Sequence, residues 1–242
     1  MAAILHRGRR AFLGSLGAAA FFTTRGLFAE ELALTAETTE GPYYPDKLPL
    51  DTDNDLLIVN DAITPAVGEV TWVSGRVLTA SGQPVRNAFV EIWQCDARES
   101  YLHSQGRGAQ LDANFQGYGR YLTDSTGNYQ FRTIKPVSYT LQGQFRAPHI
   151  HVALSRSGRR ILTTQIAVRG HADNPKDPVW RMLKDAARET TIADFVPMPG
   201  SRAGELMAKF DIVLGRTAME GDDGLMRGVG KSTWKGMGGR RR

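Results

Sequence analysis

An all-β chain, folded as an antiparallel β-sandwich with long loops and one short helix, is what this sequence predicts. Three observations carry that expectation. Short runs rich in β-branched and aromatic residues recur along the chain, Gly, Pro, Asn and Asp clusters punctuate them at regular spacing, and a single stretch has helical spacing. In order, the segment from Thr38 to Asp46 contains Gly41, Pro42 and Pro45, which deny it helix or central strand and leave a loop or extended arm. Residues 70–78 and 88–93 read as strands around the turn residues 80–84, a hairpin signal. Residues 119–123 and 129–134 repeat the pattern around Asp124, Ser125, Thr126 and Gly127. Residues 149–154 and 161–168 form a further strand pair, and residues 208–214 read as one late strand. Within residues 179–189, Trp180, Leu183 and Ala187 recur at helical spacing.

The 242 residues suit one domain, with special segments at either end. Residues 1–29 read as an export leader: the cationic stretch from His6 to Arg10 precedes an apolar run too short to span a bilayer as a helix, and small Ala29 offers a cleavage point. The pair Arg9-Arg10 followed by Phe12-Leu13 resembles a twin-arginine signal, so the mature protein is expected in the periplasm or outside the cell, without membrane insertion once the leader is removed. Residues 227–242 are Gly-rich and cationic with little to bury, and are expected to form a flexible basic tail after a domain of residues 30–226. The formal charge of +5 falls to +1 once the four leader arginines are set aside, and the six cations of the tail leave −5 for residues 30–226. A basic nucleic-acid-binding face is therefore not expected. Cys95 is the single cysteine, so neither an intramolecular disulfide nor a cysteine-rich metal site is available; it reads as a small buried residue at a strand end.

The residues most suggestive of chemistry are His149-Ile150-His151. In a strand, residues two apart share a face, so both imidazoles are able to reach one ion while Ile150 enters the core. Paired histidines also occur as hydrogen-bonded polar residues, so the motif alone leaves both readings open. In the mature chain the other histidines are His103 and His171, and neither a His-Glu-x-x-His motif nor a nearby carboxylate companion is present. Attention moves to Tyr101 and Tyr139, whose phenolates are hard anionic donors; two phenolates with two imidazoles favour iron(III). Spacing alone does not separate such ligands from core tyrosines with hydrogen-bonded hydroxyls.

A set of ordered pieces resolves into a resemblance: Glu40 to Tyr44, Gly75-Arg76-Val77, Val90 to Gln94, Tyr101, Gly119-Arg120, Thr123-Asp124, Gly127-Asn128-Tyr129, Phe131 to Pro136, Tyr139, and Arg146-Ala147-Pro148-His149-Ile150-His151. From Glu40 to about Val168 the chain resembles the intradiol ring-cleavage dioxygenases, the family of catechol and protocatechuate dioxygenases. That resemblance implies a mononuclear non-haem iron(III) held by Tyr101, Tyr139, His149 and His151, with Tyr139 and His151 axial. It implies a substrate that is a small aromatic diol, opened with O2 to a muconate-type diacid. It also gives Arg146 the role of steadying negative charge on the ring, Gln165 that of hydrogen-bonding an oxygen intermediate, and Gly41, Pro42 and Tyr43 that of closing the pocket. Family precedent favours association of subunits into a homo-oligomer. The chain departs from the family's usual Arg-Pro-Ala-His in having Arg146-Ala147-Pro148-His149, and it offers Leu141 where protocatechuate enzymes carry a bulky aromatic. Two rival readings stand beside this one: a non-catalytic transthyretin-like binding module, and copper held by the histidines with the tyrosines as bystanders.

Overall fold

A computed structural model describes residues 31–59, 64–108 and 110–215, together with the short strands Met219–Glu220 and Met226–Arg227. The expected leader, residues 1–29, and the tail beyond Arg227 lie outside the described residues. Two sheets face each other. In the first, β1 (Val70–Thr79) is central, with β4 (Asn128–Ile134) antiparallel along one edge. Along its other edge run β11 (Leu206–Lys209) and then β12 (Ile212–Leu214), both parallel to it, with β10 (Phe195–Pro197) outside β11. The second sheet has the order β3 (Tyr118–Leu122), β2 (Phe89–Trp93), β7 (His149–Arg156), β8 (Arg159–Val168), β9 (Ile192–Ala193). Val73, Val77 and Phe131 of the first sheet and Val90, Ile92, Ile150, Val152, Leu154 and Ile166 of the second form the buried core between them.

The sandwich is as expected, but several details of its wiring differ from the sequence reading. β1 and β2 do not pair with each other, nor do β3 and β4; each of the two expected hairpins is an arch that carries the chain from one sheet to the other. The arches lean on one another: Val77 N donates to Gly127 O at 2.8 Å and Val85 N donates to Val77 O at 2.8 Å. Alternation says which residues face the core, and it is equally satisfied whether successive strands share a sheet or oppose each other across it. β7 and β8 do form a hairpin, through Ser157 (φ 49°) and Gly158 (φ 72°), the two-residue left-handed turn whose twist matches antiparallel strands. Three ladders, β1 with β11, β1 with β12 and β8 with β9, are parallel.

The expected late strand is stepped into two at Phe210-Asp211. Phe210 N donates to Ser74 O at 2.8 Å, Phe210 O accepts from the Tyr129 hydroxyl, and Asp211 Oδ1 accepts from Arg76 N at 2.9 Å. The expected helix is likewise two single turns, α1 (Pro178–Met182) and α2 (Asp185–Glu189), interrupted where Leu183 is extended (ψ 139°). Asp177 caps α1 by accepting from Val179 N and Trp180 N, with Pro178 at the position where a missing N–H costs nothing.

The arm that begins the described chain ties both sheets together. Thr35 N donates to Val213 O and Thr35 Oγ1 accepts from Val213 N on β12, while Thr38 N donates to Thr163 O on β8. A second buried cluster, Tyr43, Trp93, Cys95, Tyr101, Tyr118, Tyr139 and Ala153, lies outside the core proper and includes residues of β2, β3 and β7.

Gly75 is the tightest point of the first sheet, because a Cβ there would stand 1.9 Å from Phe210 O. Replacing Gly75 with Ala should destabilise the protein by about 3 kcal/mol in denaturant unfolding, with backbone as the unyielding neighbour. A change below about 0.5 kcal/mol, the scatter of ordinary surface substitutions, would contradict this contact.

Candidate active site

The site grows from the pleat of β7. Ile150, Val152 and Leu154 enter the core, so His149, His151 and Ala153 must point to the opposite face. There His151 stands opposite Trp93 of β2 and Gln165 of β8. The Trp93 indole stacks on the His151 imidazole, ring centroids 4.8 Å apart and planes within 9°. Nδ1 of His149 lies 2.7 Å from Ala147 O, and since a carbonyl only accepts, Nδ1 carries the hydrogen and the neutral ring offers its lone pair at Nε2. That Nε2 is 3.1 Å from Nε2 of His151.

Two loop elements bring the tyrosines to the histidines. Tyr101 leaves a tight loop organised by buried Asp96, whose Oδ1 accepts from Arg98 N and Ser100 N and whose Oδ2 accepts from Asp112 N. Gly106 allows the next turn to close over it, as a Cβ there would stand 2.8 Å from both Tyr101 Cβ and Tyr43 Cδ1. Tyr139 comes from an unanticipated hairpin of β5 (Tyr139–Leu141) and β6 (Gln144–Arg146), which pairs Tyr139 directly with Arg146. The four rings form a closed cycle. Centroid separations are 5.3 Å from Tyr101 to Tyr139, 5.6 Å from Tyr139 to His149, 4.7 Å from His149 to His151 and 6.0 Å from His151 back to Tyr101.

Burial governs the electrostatics here. It pushes the Tyr139 phenol up to about 12, against the opposing pull of the Arg146 guanidinium, and it pushes Tyr101 well above the usual phenol range, with the neighbouring Tyr139 adding to the effect. Burial, reinforced by the Arg146 charge, pulls His149 down to about 3, and burial with the neighbouring His149 lowers His151 further from its ordinary value. Left to themselves, the four groups are two neutral phenols and two neutral imidazoles. The Tyr101 hydroxyl is buried without a hydrogen-bond partner. Among the described residues no three His, Cys, Asp or Glu side chains are placed to share a metal ion, and the side-chain donors beside the histidine pair are the phenols of Tyr101 and Tyr139. Neutral nitrogen lone pairs beside phenols that ionise only against a strong positive charge are a donor set suited to a hard, highly charged cation.

Arg146 is held on the flank of this cluster. Nε donates to Asp177 Oδ2 at 2.8 Å and Nη2 donates to Gln165 Oε1 at 2.7 Å. The same Asp177 oxygen accepts from Ala147 N at 2.9 Å, and Ala147 is the residue whose carbonyl holds His149. Gln165 Nε2 donates to Thr39 O at 3.1 Å and lies 3.4 Å from His151 Nδ1, so the glutamine bridges the arginine, the arm and a histidine. Although burial alone raises the Asp177 pKa, Arg146 and the α1 amide hydrogens hold it below the ordinary carboxylate range. Beside His149 lies a small cavity of about 20 Å³, with apolar walls that include Pro148, Ala167, Val179, Trp180 and Leu183 and with Arg146 and Gln165 at its polar side.

The structure therefore brings together all of Tyr101, Tyr139, His149, His151, Arg146 and Gln165. The arm is present too: a Cβ on Gly41 (φ 72°) would approach His151 Cε1 to 3.2 Å, and Tyr43 packs on Tyr101 with centroids 5.1 Å apart, whereas Pro42 is solvent-exposed. Asp177, Trp93 and Gly106 escaped the sequence reading as site residues. Asp177-Pro178 is a legible helix start, but nothing local links it to an arginine 31 positions earlier.

Comparison with known proteins agrees with this geometry. A family model described as "Dioxygenase" matches residues 39–216. The chain is 40% identical over 159 residues to the protocatechuate 3,4-dioxygenase beta chain of Burkholderia cepacia, and 30% identical over 198 residues to catechol 1,2-dioxygenase 1 of Acinetobacter lwoffii. These matches cover 63% and 72% of this chain, and 67% and 57% of the respective relatives. Among solved structures, the dioxygenase domain of a dioxygenase carbohydrate-binding protein fusion from the cellulolytic bacterium Streptomyces sp. SirexAA-E superposes with a TM-score of 0.54 at 25% identity, covering 75% of this chain and 98% of that one. The chain belongs to the intradiol ring-cleavage dioxygenase family.

The neutrality of the buried imidazoles has a signed consequence. A histidine whose pKa is depressed by folding binds fewer protons folded than unfolded, so its contribution to stability is complete above about pH 6.5 and is lost as pH falls toward about 3. Metal-free protein should lose on the order of 1.4 kcal/mol per pH unit for each such histidine within that window, seen as a falling denaturation midpoint. A midpoint that stays level across the window would mean the imidazoles charge freely in the folded protein.

Proposed function

We propose that the chain is an iron(III)-dependent intradiol dioxygenase that opens a catechol-type diphenol with O2, breaking the ring bond between the two hydroxyl-bearing carbons and placing both oxygen atoms in a muconate-type diacid. The observation that carries this reading is the closed cycle of two buried phenols and two neutral imidazoles, with the Tyr101 hydroxyl unpartnered inside it. Tyr101, Tyr139, His149 and His151 would hold the ion. Bound ferric iron supplies the Lewis acidity that ionises phenolic oxygens near neutral pH and withdraws electron density from a bound diphenol, which makes its ring reactive toward dioxygen.

The chain's own residues perform the rest. Tyr139, set opposite Arg146 by the pairing of β5 with β6, would take a proton from the incoming diphenol at its phenolic oxygen. Arg146, fixed by Asp177 and Gln165, presents a permanent cation beside the ring as negative charge develops there. Trp93, Tyr43 and the Gly41 turn pack against the donor rings and keep bulk water away. The shared position of the tyrosines and histidines favours iron over copper held by the histidines alone.

Replacing His151 with Ala should remove both bound iron and the red-brown colour expected of tyrosinate-to-iron charge transfer, and abolish O2 uptake with catechol, measured by metal analysis, visible absorption and an oxygen electrode. Retention of iron and activity would overturn the ligand set, and an aldehyde product from wild type, formed by cleavage beside the hydroxyls, would overturn the intradiol reading. Export rests on the leader-like residues 1–29. Cell fractionation should find the full chain outside the cytoplasm and the chain lacking residues 1–29 within it; equal distribution of the two would refute export by this leader.

A further inference from the structure

The stretch Gly41-Pro42-Tyr43 lies against the donor rings without the support that usually fixes such a segment: among the described residues, no backbone hydrogen bond joins residues 40–44 to either sheet. Side chains must hold it. On β2, Val90 and Ile92 enter the core, so Glu91 shares the opposite face with Trp93, which stacks on His151. Glu91 is 7% exposed, and a carboxylate so deep is costly unless it is paired and hydrogen-bonded. Its Oε1 accepts from the hydroxyl of Tyr118 and, at 3.2 Å, from that of Tyr44, while Oε2 accepts from Arg160 Nη2 at 3.2 Å. Burial pushes both phenols up, so each hydroxyl keeps its hydrogen and donates. Arg120 comes within 4.0 Å of the same carboxylate, but its Nε makes no hydrogen bond and its guanidinium lies over the Phe89 ring.

Arg160 divides its fork between two carboxylates: Nη1 donates to Glu40 Oε2 at 2.8 Å, and the guanidinium carbon stands 5.4 Å from the centre of the Tyr44 ring. Glu40 and Tyr44 are the residues on either side of Gly41-Pro42-Tyr43, so both ends of the stretch are fastened to one ion pair. Between them, Gly41 sits against His151 and Tyr43 packs on Tyr101. Tyr44 also meets the Trp93 indole edge-on, centroids 5.0 Å apart, and so reaches the ring that backs His151. Arg160 stands five positions before Gln165 on β8, about 17 Å along the strand, so it acts on the donor rings only through other residues. We propose that Glu91 and Arg160 are positioning residues, a clamp that holds Gly41-Pro42-Tyr43 over the four donor rings and limits how freely solvent and small chelators reach them. Its consequence for turnover rests on the ring-cleaving function proposed above.

The test uses Arg160→Gln, Arg160→Lys and Glu91→Gln in the full chain, with Arg76→Gln, which removes a surface pair on the first sheet, as control. Metal-free protein is treated briefly with chymotrypsin and the cut after buried Tyr43 is followed by mass spectrometry, since cleavage there tracks local opening of the arm. That cut should be roughly 10- to 100-fold faster in Arg160→Gln and Glu91→Gln, the range expected for loss of a charge-assisted hydrogen bond, with no matching rise in cuts after core Tyr129 and Phe131. Arg160→Lys, which keeps the charge without the fork, should fall between, and Arg76→Gln should match wild type. Iron-loaded Arg160→Gln should lose its metal to EDTA faster by a similar factor, and its KM for catechol should rise while kcat changes less than about threefold. The Arg160 side chain is partly exposed, so its variants answer the question even if Glu91→Gln fails to fold. An unchanged cut after Tyr43 in Arg160→Gln, cuts that accelerate equally in the core, or local opening with iron loss and KM unaltered would overturn the clamp. If wild type opens no diphenol, the ring-cleaving function falls, and the cut in metal-free protein still decides whether the pair holds the arm.

Discussion

Everything at this site depends on the alternation of a single buried strand. β7 lies between β2 and β8, and its side chains are divided between two environments that chemistry keeps apart: Ile150, Val152 and Leu154 in an apolar core, His149 and His151 against aromatic rings and an arginine. A slip of one residue would exchange the two sets. It would bury imidazoles in hydrocarbon and present isoleucine to the phenols. Core packing therefore fixes where the imidazoles point, and the stability of the sandwich and the geometry of the donor rings are one constraint.

Around that strand the polar parts are joined through few atoms. One carboxylate oxygen of Asp177 receives both Arg146 Nε and the Ala147 amide, the other starts α1, and Ala147 in turn orients His149. Gln165 links the arginine to His151 and to the arm. The cation beside the cavity and the lone pair of a donor histidine are consequently set by the same buried anion. Such sharing gives rigidity, and it ties the placement of α1, one wall of the cavity, to the orientation of the groups beside it.

Much of this was legible in the sequence, for reasons specific to each element. The period-two pattern marked β1, β2, β4, β7 and β8, and the His149–His151 spacing placed both rings on one face. Tyr101, Tyr139, Arg146 and Gln165 were singled out through the family resemblance, and the fold gathers them. What escaped was pairing and long-range satisfaction. Alternation left unstated that Val77 meets Gly127 across an arch, or that Phe210 divides a strand by docking against Gly75. The three-residue strands β5 and β6 were too short to announce themselves, although they set Tyr139 opposite Arg146. Asp177 advertised only a helix start, because its tie to Arg146 exists only once the chain has folded.

The arm adds a constraint in time. Its first anchor is the pairing of Thr35 with Val213 on β12, and its second is Thr38 on Thr163 of β8, before it passes Gly41 and Tyr43 over the donor rings. During synthesis these early residues leave the ribosome long before either anchor exists. The arm over the donor rings must wait for strands that lie far later in the chain. Enclosure of the donor rings by the arm therefore follows the formation of β8 and β12.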